Sequence, residues 1–290
     1  VGSAWGSDGS AEDVTGKTLA DGYAPNDLKI GDFYYSDGTT SDGGYRKYSD
    51  GTTAIMPVQP VLKDADGKER TVIGIVFWLG DIKGDNYTLL DSQFPSGTHG
   101  LVVSLWDMPA PDNGGAGMTW TYGGYEYVST WLGSATWSGT VSRPGSFTSI
   151  QVADKMQGYA NTVALEEYNK YVENPSYNKN QNLRVKPIKG LSAFQTAHPA
   201  PVSSSGWYWP SVYELKQVCW GQGNSSNTSG KSMLNTQIGK VGGNIFSSDD
   251  YWSSTENSSS NYAWYVYFNI SNVSYVGYKD SNTCRLRPLL

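Results

Sequence analysis

The residues that could bind a metal or act as nucleophiles are few and lie far apart. The chain has two histidines, His99 and His198, and neither has metal-type ligands beside it, so a histidine-built zinc site is not expected. Its two cysteines, Cys219 and Cys284, form no CxxC pair. They either join in one disulfide in an exported protein or stay unpaired, and the sequence leaves both possibilities open.

Motifs for catalysis are also missing from the sequence. It contains no GxSxG nucleophile elbow, no phosphate-binding P-loop and no HExxH helix. The neighbouring acidic residues Asp249 and Asp250 are better explained as a turn or a cap than as an acid–base pair. We therefore predict a protein that is not an enzyme and has no catalytic residue, no metal site and no cofactor.

The composition excludes several classes of protein. Tyr (21), Trp (11) and Gly (34) are abundant among the 290 residues while charged residues make up only 17%, which excludes a coiled coil, a helical bundle and a disordered tail. The formal net charge of −6 argues against nucleic acid as a partner. No apolar run reaches about 18 residues, so no transmembrane segment is expected.

The elements that must position a site follow an α+β pattern. Residues 1–27 are rich in Gly, Ser, Ala and Asp and are predicted to be a flexible N-terminal lead-in or linker. Strands are predicted at 29–35, 54–62, 70–79 and 100–106, and the continuously apolar segment 70–79 is expected to be buried on both faces. Helices are predicted at 150–172, 211–220 and, more weakly, 231–241, and residues 107–149 are predicted to be irregular. In the second helix, Ser211 and Glu214 form a capping box, and Cys219 is expected to be a small core residue.

The last forty residues favour a binding surface. Segment 263–269 (AWYVYFN) alternates, so Trp264, Val266 and Phe268 are expected to point one way while Tyr265, Tyr267 and Asn269 point the other. A turn at 269–272, a returning strand at 273–278 and a short terminal strand at 285–289 are predicted to complete the unit. Tyr gives rigid contact area while Ser and Asn give adaptable hydrogen bonds, a mixture typical of recognition surfaces. An ordinary hairpin with exposed cross-strand tyrosines is the alternative.

Several motifs of the C-terminal third resemble a known family. They are 206–211 (GWYWPS) with Glu214 and Leu215, then 251–256 (YWSSTE), 263–266 (AWYV) and 287–288 (RP). Together they resemble the signature of a bacterial C-type-lectin-fold family, related to formylglycine-generating enzymes, that includes the variable proteins of diversity-generating retroelements. The sequence departs from this pattern by ending at Leu290, where members commonly continue to an Ala-Phe-like tail.

The resemblance implies a fold, a function and a site. The fold would be a C-type lectin fold over residues 28–290, with two main helices packed on small antiparallel sheets, long irregular insertions and a variable segment at about 251–287. Apolar anchors (Trp252, Trp264, Val266, Phe268 and Leu286) would hold a rigid scaffold for a ligand- or receptor-binding surface. The expected ligand-binding residues are Ser258, Ser259, Ser260, Asn261, Tyr262, Tyr265, Tyr267, Asn269, Ser271, Ser274, Tyr275, Gly277, Tyr278, Asp280, Ser281 and Asn282.

The residues themselves agree with this resemblance. In such retroelements, adenines of AAC-type codons are rewritten, which cannot produce Met, Trp, Gln, Lys or Glu. Segments 257–262, 274–278 and 280–284 contain none of these residue types, whereas the apparent anchors Glu256, Trp264 and Lys279 do. On this interpretation Cys284 is a product of codon rewriting.

Other functions remain as alternatives. The formylglycine-generating oxidases of the same fold need a suitable pair of thiols, which Cys219 and Cys284 do not make. The Glu-Pro-Asn and Trp-Asn-Asp triplets of calcium-dependent lectins are absent. A calcium-independent carbohydrate-binding adhesin of fixed sequence, or a structural surface or tail-fibre subunit, is the alternative. A structural subunit would have no ligand of its own, whereas a binding protein is expected to have a protein or glycan receptor on a cell surface as its partner. The expected location is the bacterial cell surface, after export, or a phage particle.

Overall fold

The structure is a computed structural model. It describes residues 3–5, 11–13, 28–41, 45–47, 53–55, 61–63, 69–80, 82, 89–90, 92–94, 100–133, 149–269 and 274–290, with the backbone alone for the strands at 3–5, 11–13, 45–47, 53–55 and 61–63. Within these ranges the chain combines short antiparallel sheets with several α-helices, so the predicted α+β class is confirmed. The C-type lectin fold remains a prediction.

The described strands and helices have the following bounds. The strands are β1 (Ser3–Trp5), β2 (Ala11–Asp13), β3 (Phe33–Tyr35), β4 (Thr40–Ser41), β5 (Tyr45–Lys47), β6 (Thr53–Ile55), β7 (Val61–Lys63), β8 (Glu69–Leu79), β9 (Gly100–Ser104), β10 (Asp250–Glu256), β11 (Tyr262–Tyr267) and β12 (Ser274–Tyr278). The helices are α1 (Val128–Leu132), α2 (Gly158–Glu173), α3 (Lys186–Ala197), α4 (Val212–Trp220) and α5 (Ser229–Lys240), with 3-10 turns at Pro175–Tyr177 and Gln181–Leu183. None of the helices among the described residues is long and apolar enough to cross a membrane.

The strands form three antiparallel sheets. Their orders are β2-β1-β6-β5, then β4-β3-β8-β7 with β9 also paired to β8, and β10-β11-β12. Apolar side chains run through residues 72–77 of β8 and are buried. The predicted burial of 70–79 is thus confirmed for its centre, whereas Thr71 is exposed and Trp78 and Leu79 are half-buried. The first sheet includes β1 and β2, which lie within the segment predicted to be a lead-in.

The predicted capping box is present and extends beyond its own helix. The Ser211 hydroxyl accepts from the Glu214 backbone N–H, and the Glu214 carboxylate accepts from the Ser211 N–H at 2.6 Å. The same carboxylate accepts from the N–H of Gly158, the first residue of α2, at 3.0 Å and from the Tyr208 hydroxyl at 3.1 Å. One buried side chain thus joins the N-termini of α2 and α4, which explains why these helices lie together.

Several predicted bounds were wrong. Helix α2 begins at Gly158 rather than at residue 150. Of the predicted strand 54–62, the two ends belong to β6 and β7, and residues 56–60 lie outside the described residues. The described part of the predicted irregular segment 107–149 contains α1. The structure adds α3, which the sequence analysis did not anticipate, although Pro187 in its first turn is a recognised start signal.

The segment 285–289 is not a strand, because its backbone groups pair with different elements in turn. The Arg285 N–H donates to the Asp250 carbonyl of β10, whereas the Leu289 N–H donates to the Tyr208 carbonyl ahead of α4. The intervening Pro288 has no N–H, and its carbonyl accepts from Ser104 of β9. The end of the described chain therefore joins β10, β9 and the start of α4.

Three buried tryptophans fix the C-terminal sheet against the rest of the core. The indole N–H of Trp120 donates to the Ser253 carbonyl at 3.0 Å, and that of Trp209 donates to the Trp252 carbonyl at 2.9 Å. Trp252 in turn donates to the Met118 carbonyl at 2.9 Å. Each indole fills core volume and also satisfies a backbone carbonyl of a neighbouring element, so β10 has little freedom to shift.

Candidate functional site

The candidate site is the sheet β10-β11-β12, whose register decides which side chains share a face. Tyr265 is opposite Tyr275 across β11 and β12, and Tyr262 is opposite Tyr278. On the other side of β11, Tyr267 is opposite Asp250 of β10. Side chains directly opposite each other in an antiparallel pair lie on the same face, and successive residues of a strand alternate between faces.

The predicted site residues therefore divide between two faces of one sheet. We call the face that carries Asp250, Tyr265, Tyr267 and Tyr275 the Tyr265 face. The opposite face, which we call the Tyr278 face, carries Tyr262, Trp264, Val266, Ser274, Val276 and Tyr278. The expectation of a single ligand surface is corrected here, because the β11–β12 register places Tyr278 on the face opposite Tyr265 and Tyr267.

Each face holds a pair of tyrosine rings. On the Tyr265 face, the rings of Tyr265 and Tyr275 stack with centroids 5.9 Å apart. On the Tyr278 face, the rings of Tyr262 and Tyr278 lie 4.5 Å apart. Tyr275, Val276 and Tyr278 keep 44%, 39% and 46% of their surface exposed. Strand β12 thus shows large side chains to solvent on both faces, while aromatic neighbours restrict their rotamers.

Most of the predicted apolar anchors are buried. Trp252, Val266, Phe268 and Leu286 are fully buried, and Trp264, within β11, is half-buried. Trp252 is opposite Tyr265 and therefore lies on the Tyr265 face. Phe268 stacks on Phe246 with centroids 4.7 Å apart. These contacts give the exposed tyrosines a packed support.

The loops before β11 and after β12 lie at the same end of the hairpin and are held by local hydrogen bonds. The Ser259 N–H donates to the Asn257 side chain, and the Tyr278 N–H donates to the Asn282 side chain at 2.8 Å. Asn282 and Ser258 are both exposed. The other predicted loop residues, Ser260, Asn261, Asp280 and Ser281, are half-buried or exposed.

Two of the predicted site residues have no side chain that the structure describes. Gly277 is buried, and a Cβ at this position would come within 2.9 Å of the Trp252 ring, so Gly277 offers no side chain to a ligand. It allows β12 to approach Trp252 closely. Ser271 lies outside the described residues.

A buried ion pair fixes the inner end of β12. The Lys279 ammonium lies 2.6 Å from a carboxylate oxygen of Glu256, and both side chains are 0% exposed. Burial lowers the pKa of Lys279, and the neighbouring Glu256 opposes that shift. Lys279 also donates to the Glu126 carbonyl at 3.0 Å and lies 4.9 Å from the centre of the Trp120 ring.

Glu256 connects this pair to α1. Its carboxylate accepts from the backbone N–H groups of Val128 at 2.8 Å and Ser129 at 3.1 Å, which are the first two residues of α1. It also accepts from the Gln151 amide at 3.2 Å. A carboxylate at a helix N-terminus satisfies N–H groups that have no partner within the helix. The sequence marked Glu256 and Lys279 as anchors, but only the structure shows that they contact each other.

A second charged network lies at the other end of the sheet, beside an open cleft. Arg287 is fully buried and donates to Asp107 at 2.7 Å, while Arg285 bridges Asp107 at 3.1 Å and Asp249 at 2.6 Å. The ion pair with Arg285 holds the pKa of Asp249 below its usual range. Burial, with a contribution from Asp249, raises the pKa of Asp250.

The cysteines and the described histidine, which are potentially reactive, are packed against neighbouring residues. Cys219 and Cys284 are both buried and free, and burial raises both thiol pKa values, that of Cys219 to about 11. Cys219 is a core residue of α4, as predicted. His198 stacks on Trp106 with centroids 3.9 Å apart, and His99 lies outside the described residues. Within the described ranges, no three His, Cys, Asp or Glu side chains are placed to hold a metal ion.

Comparisons with known proteins point to bacterial fimbriae. No known protein-family profile matches the sequence. A protein of Bacteroides ovatus named as a fimbrium tip subunit, Fim1C, is 25% identical over 302 aligned positions, which cover 91% of this chain and 45% of that protein. The chain therefore spans less than half the length of this relative.

A solved structure has the same fold. It is the crystal structure of a fimbrial protein from Bacteroides ovatus, with a TM-score of 0.61 and 22% sequence identity over 90% of this chain and 48% of that one. Fimbriae are appendages of the cell surface. The chain is accordingly an exported protein of the bacterial surface, as the sequence analysis anticipated.

Proposed function

We propose that this protein is a non-enzymatic surface adhesin, the receptor-binding part of a fimbrial tip subunit, and that the sheet β10-β11-β12 carries its binding surface. The likeness to a fimbrium tip subunit extends over 91% of this chain. Tip subunits occupy the end of an appendage, where a binding surface meets other cells first. The proposal thus follows the adhesin and structural-subunit alternative of the sequence analysis.

One observation carries the proposal. Strand β12 exposes Tyr275, Val276 and Tyr278 to solvent, while the adjoining Lys279 is completely buried in an ion pair with Glu256. Large exposed side chains on a firmly held strand can bind without losing much conformational entropy. Tyr is also enriched among the residues that contribute most binding energy at interfaces.

The test is adhesion of beads coated with the whole chain to immobilised mucin glycoprotein, to cultured epithelial cells and to other bacterial cells. Tyr275→Ala alters the Tyr265 face and Tyr278→Ala alters the Tyr278 face. Tyr177→Ala is the matched control, because Tyr177 lies outside the sheet and is exposed to the same extent as Tyr275, at 44%.

We expect adhesion to at least one of these surfaces, with loss in one or both sheet variants and no change in the control. The variant that loses adhesion identifies the face that binds. Adhesion that survives both sheet substitutions would place the receptor site elsewhere. Absence of adhesion by the unaltered protein would argue for a purely structural subunit.

A diversified form of this surface is the second candidate, and the distribution of burial favours it. Three positions that AAC codon rewriting could change, Ser258, Tyr275 and Tyr278, are exposed, whereas Gly277 and Cys284 are buried. Glu256 and Lys279, which such rewriting cannot produce, are buried. Sequencing sister copies of the locus tests this: mixed residues at the exposed positions, with a template copy beside a reverse transcriptase, would support diversification, and uniform residues would support a fixed adhesin.

A further inference from the structure

The cleft at the Asp250 end of the Tyr265 face has the size of a small-molecule site. Its volume is about 320 Å³, near the lower limit for ligand pockets. One wall is formed by Asp250 and Tyr267, which are opposite each other across β10 and β11. Thr283, Arg285 and Gly117 also line the cleft, and the Arg285 N–H donates to the Asp250 carbonyl at 2.8 Å. The cleft therefore continues the tyrosine surface and adds depth to it.

Of the charged groups that line the cleft, Arg285 has ion-pair partners and Asp250 has none among the described residues. Arg285 pairs with Asp249 at 2.6 Å and with Asp107 at 3.1 Å, so its guanidinium is already engaged. The Asp250 carboxylate, in contrast, makes no ion pair or side-chain hydrogen bond with any residue that the structure describes. A half-buried carboxylate of this kind gains most from a ligand that donates hydrogen bonds to it.

Tyr267 lines the cleft beside Asp250. Its hydroxyl accepts a hydrogen bond from the Asn269 side-chain amide at 3.0 Å, which restricts rotation of the ring. An aromatic face contacts the C–H side of a sugar ring well, because that side is apolar while the hydroxyl groups point outward. Two requirements for recognising a sugar, an acceptor for hydroxyl groups and a ring face, are thus adjacent in the cleft.

The same surroundings disfavour other ligands. A phosphate would meet the carboxylates of Asp249 and Asp250, which line the cleft. An apolar ligand would find only the Ala116 methyl as an aliphatic side chain among the described lining residues. A calcium ion needs six to eight oxygen ligands, and the described residues contain no group of three acidic, His or Cys side chains that could hold a metal.

We propose that this cleft binds a neutral pyranose sugar without calcium, with Asp250 accepting hydrogen bonds from neighbouring hydroxyl groups and Tyr267 packing against the sugar ring. The inference rests on the proposed adhesin function and specifies its receptor as a glycan. Thr283, which also lines the cleft, supplies a further hydroxyl. The site uses the Tyr265 face alone, so Tyr278 on the opposite face has no part in it.

The experiment is an NMR titration of the whole chain, in EDTA, with galactose, glucose, mannose, fucose and N-acetylglucosamine. We expect at least one of these sugars to bind. Asp250→Asn and Tyr267→Ala should each raise its dissociation constant about tenfold or more. Tyr267→Phe keeps the ring and removes only the hydroxyl bonded to Asn269, so it should retain binding. Tyr278→Ala should leave binding unchanged, and a thermal melt of each variant checks that it folds.

Four results would overturn the inference. They are no binding of any of these sugars, binding that EDTA abolishes, binding that Asp250→Asn leaves unchanged, and binding of methylammonium or a lysine amide in place of sugars. The bead assay separates these failures from failure of the proposed function. Beads that still adhere while no sugar binds would refute the sugar cleft and leave the adhesin proposal standing.

Discussion

Replacing Lys279 by Met should destabilise the protein by about 3–5 kcal/mol, because it leaves the carboxylate of Glu256 buried without its counter-ion. The two groups are 2.6 Å apart and both side chains are 0% exposed, so water cannot replace the lost ammonium without opening the structure. Val128, Ser129 and Gln151 would still donate hydrogen bonds to Glu256. We therefore expect a loss toward the lower end of this range.

The double variant Glu256→Gln with Lys279→Met separates the loss of a partner from the loss of packing. Gln keeps an acceptor for the N-terminus of α1 and carries no charge, so the double variant should be more stable than Lys279→Met alone. The free energy of unfolding is measured by urea denaturation followed by tryptophan fluorescence, with both single variants completing the cycle.

The reasoning would be refuted if Lys279→Met cost less than about 1 kcal/mol, since a buried pair broken on one side costs far more. A double variant less stable than Lys279→Met would also contradict it. Either result would mean that the end of β12 does not depend on this ion pair.

Three further predictions concern the core. Burial raises the pKa of Glu214 from 4.5 to about 7. The folded state then holds this proton more tightly than the unfolded state, so the free energy of unfolding should fall as the pH rises from 4.5 to 7. The midpoint of urea denaturation, measured across this pH range, should fall in the unaltered protein and change less in Glu214→Gln. Gly277→Ala should lower the stability of the protein by about 1–3 kcal/mol, because its methyl group would meet Trp252 at 2.9 Å. A thermal melt should show a lower melting temperature, and an unchanged melting temperature would contradict so close an approach of β12 to the indole. Cys219 and Cys284 should resist iodoacetamide in the native protein and react after unfolding, as seen by mass spectrometry, since both are buried and their thiol pKa values are raised.

The parts of the fold that the sequence predicted are those fixed by local patterns. The apolar run at 70–79, rich in β-branched residues, predicts a strand covered on both faces, and the structure buries residues 72–77 of β8. Ser211 and Glu214 have the spacing of a capping box, and the hydrogen bonds on both sides of it are present. Alternation at 263–269 correctly predicted β11 and the burial of Val266 and Phe268.

The parts that could not be predicted depend on pairing between distant segments. Alternation within β12 shows that Tyr275 and Tyr278 lie on opposite faces, but only the register with β11 shows which of them shares a face with Tyr265. A shift of one residue would exchange the two faces. Likewise, nothing near Lys279 in the sequence indicates that its partner is Glu256. The two residues lie at the ends of β12 and β10, on either side of β11.

Binding and stability can be separated in this sheet because they rest on different residues. The exposed Tyr275 and Tyr278 touch mainly other surface rings, so their exchange should change stability little. The position of β12 depends instead on buried groups, namely Trp252, which approaches Gly277, and the ion pair of Glu256 with Lys279. A scaffold arranged in this way can accept new surface side chains without refolding. That property serves a fixed adhesin adapting to a new receptor as well as a surface diversified by codon rewriting.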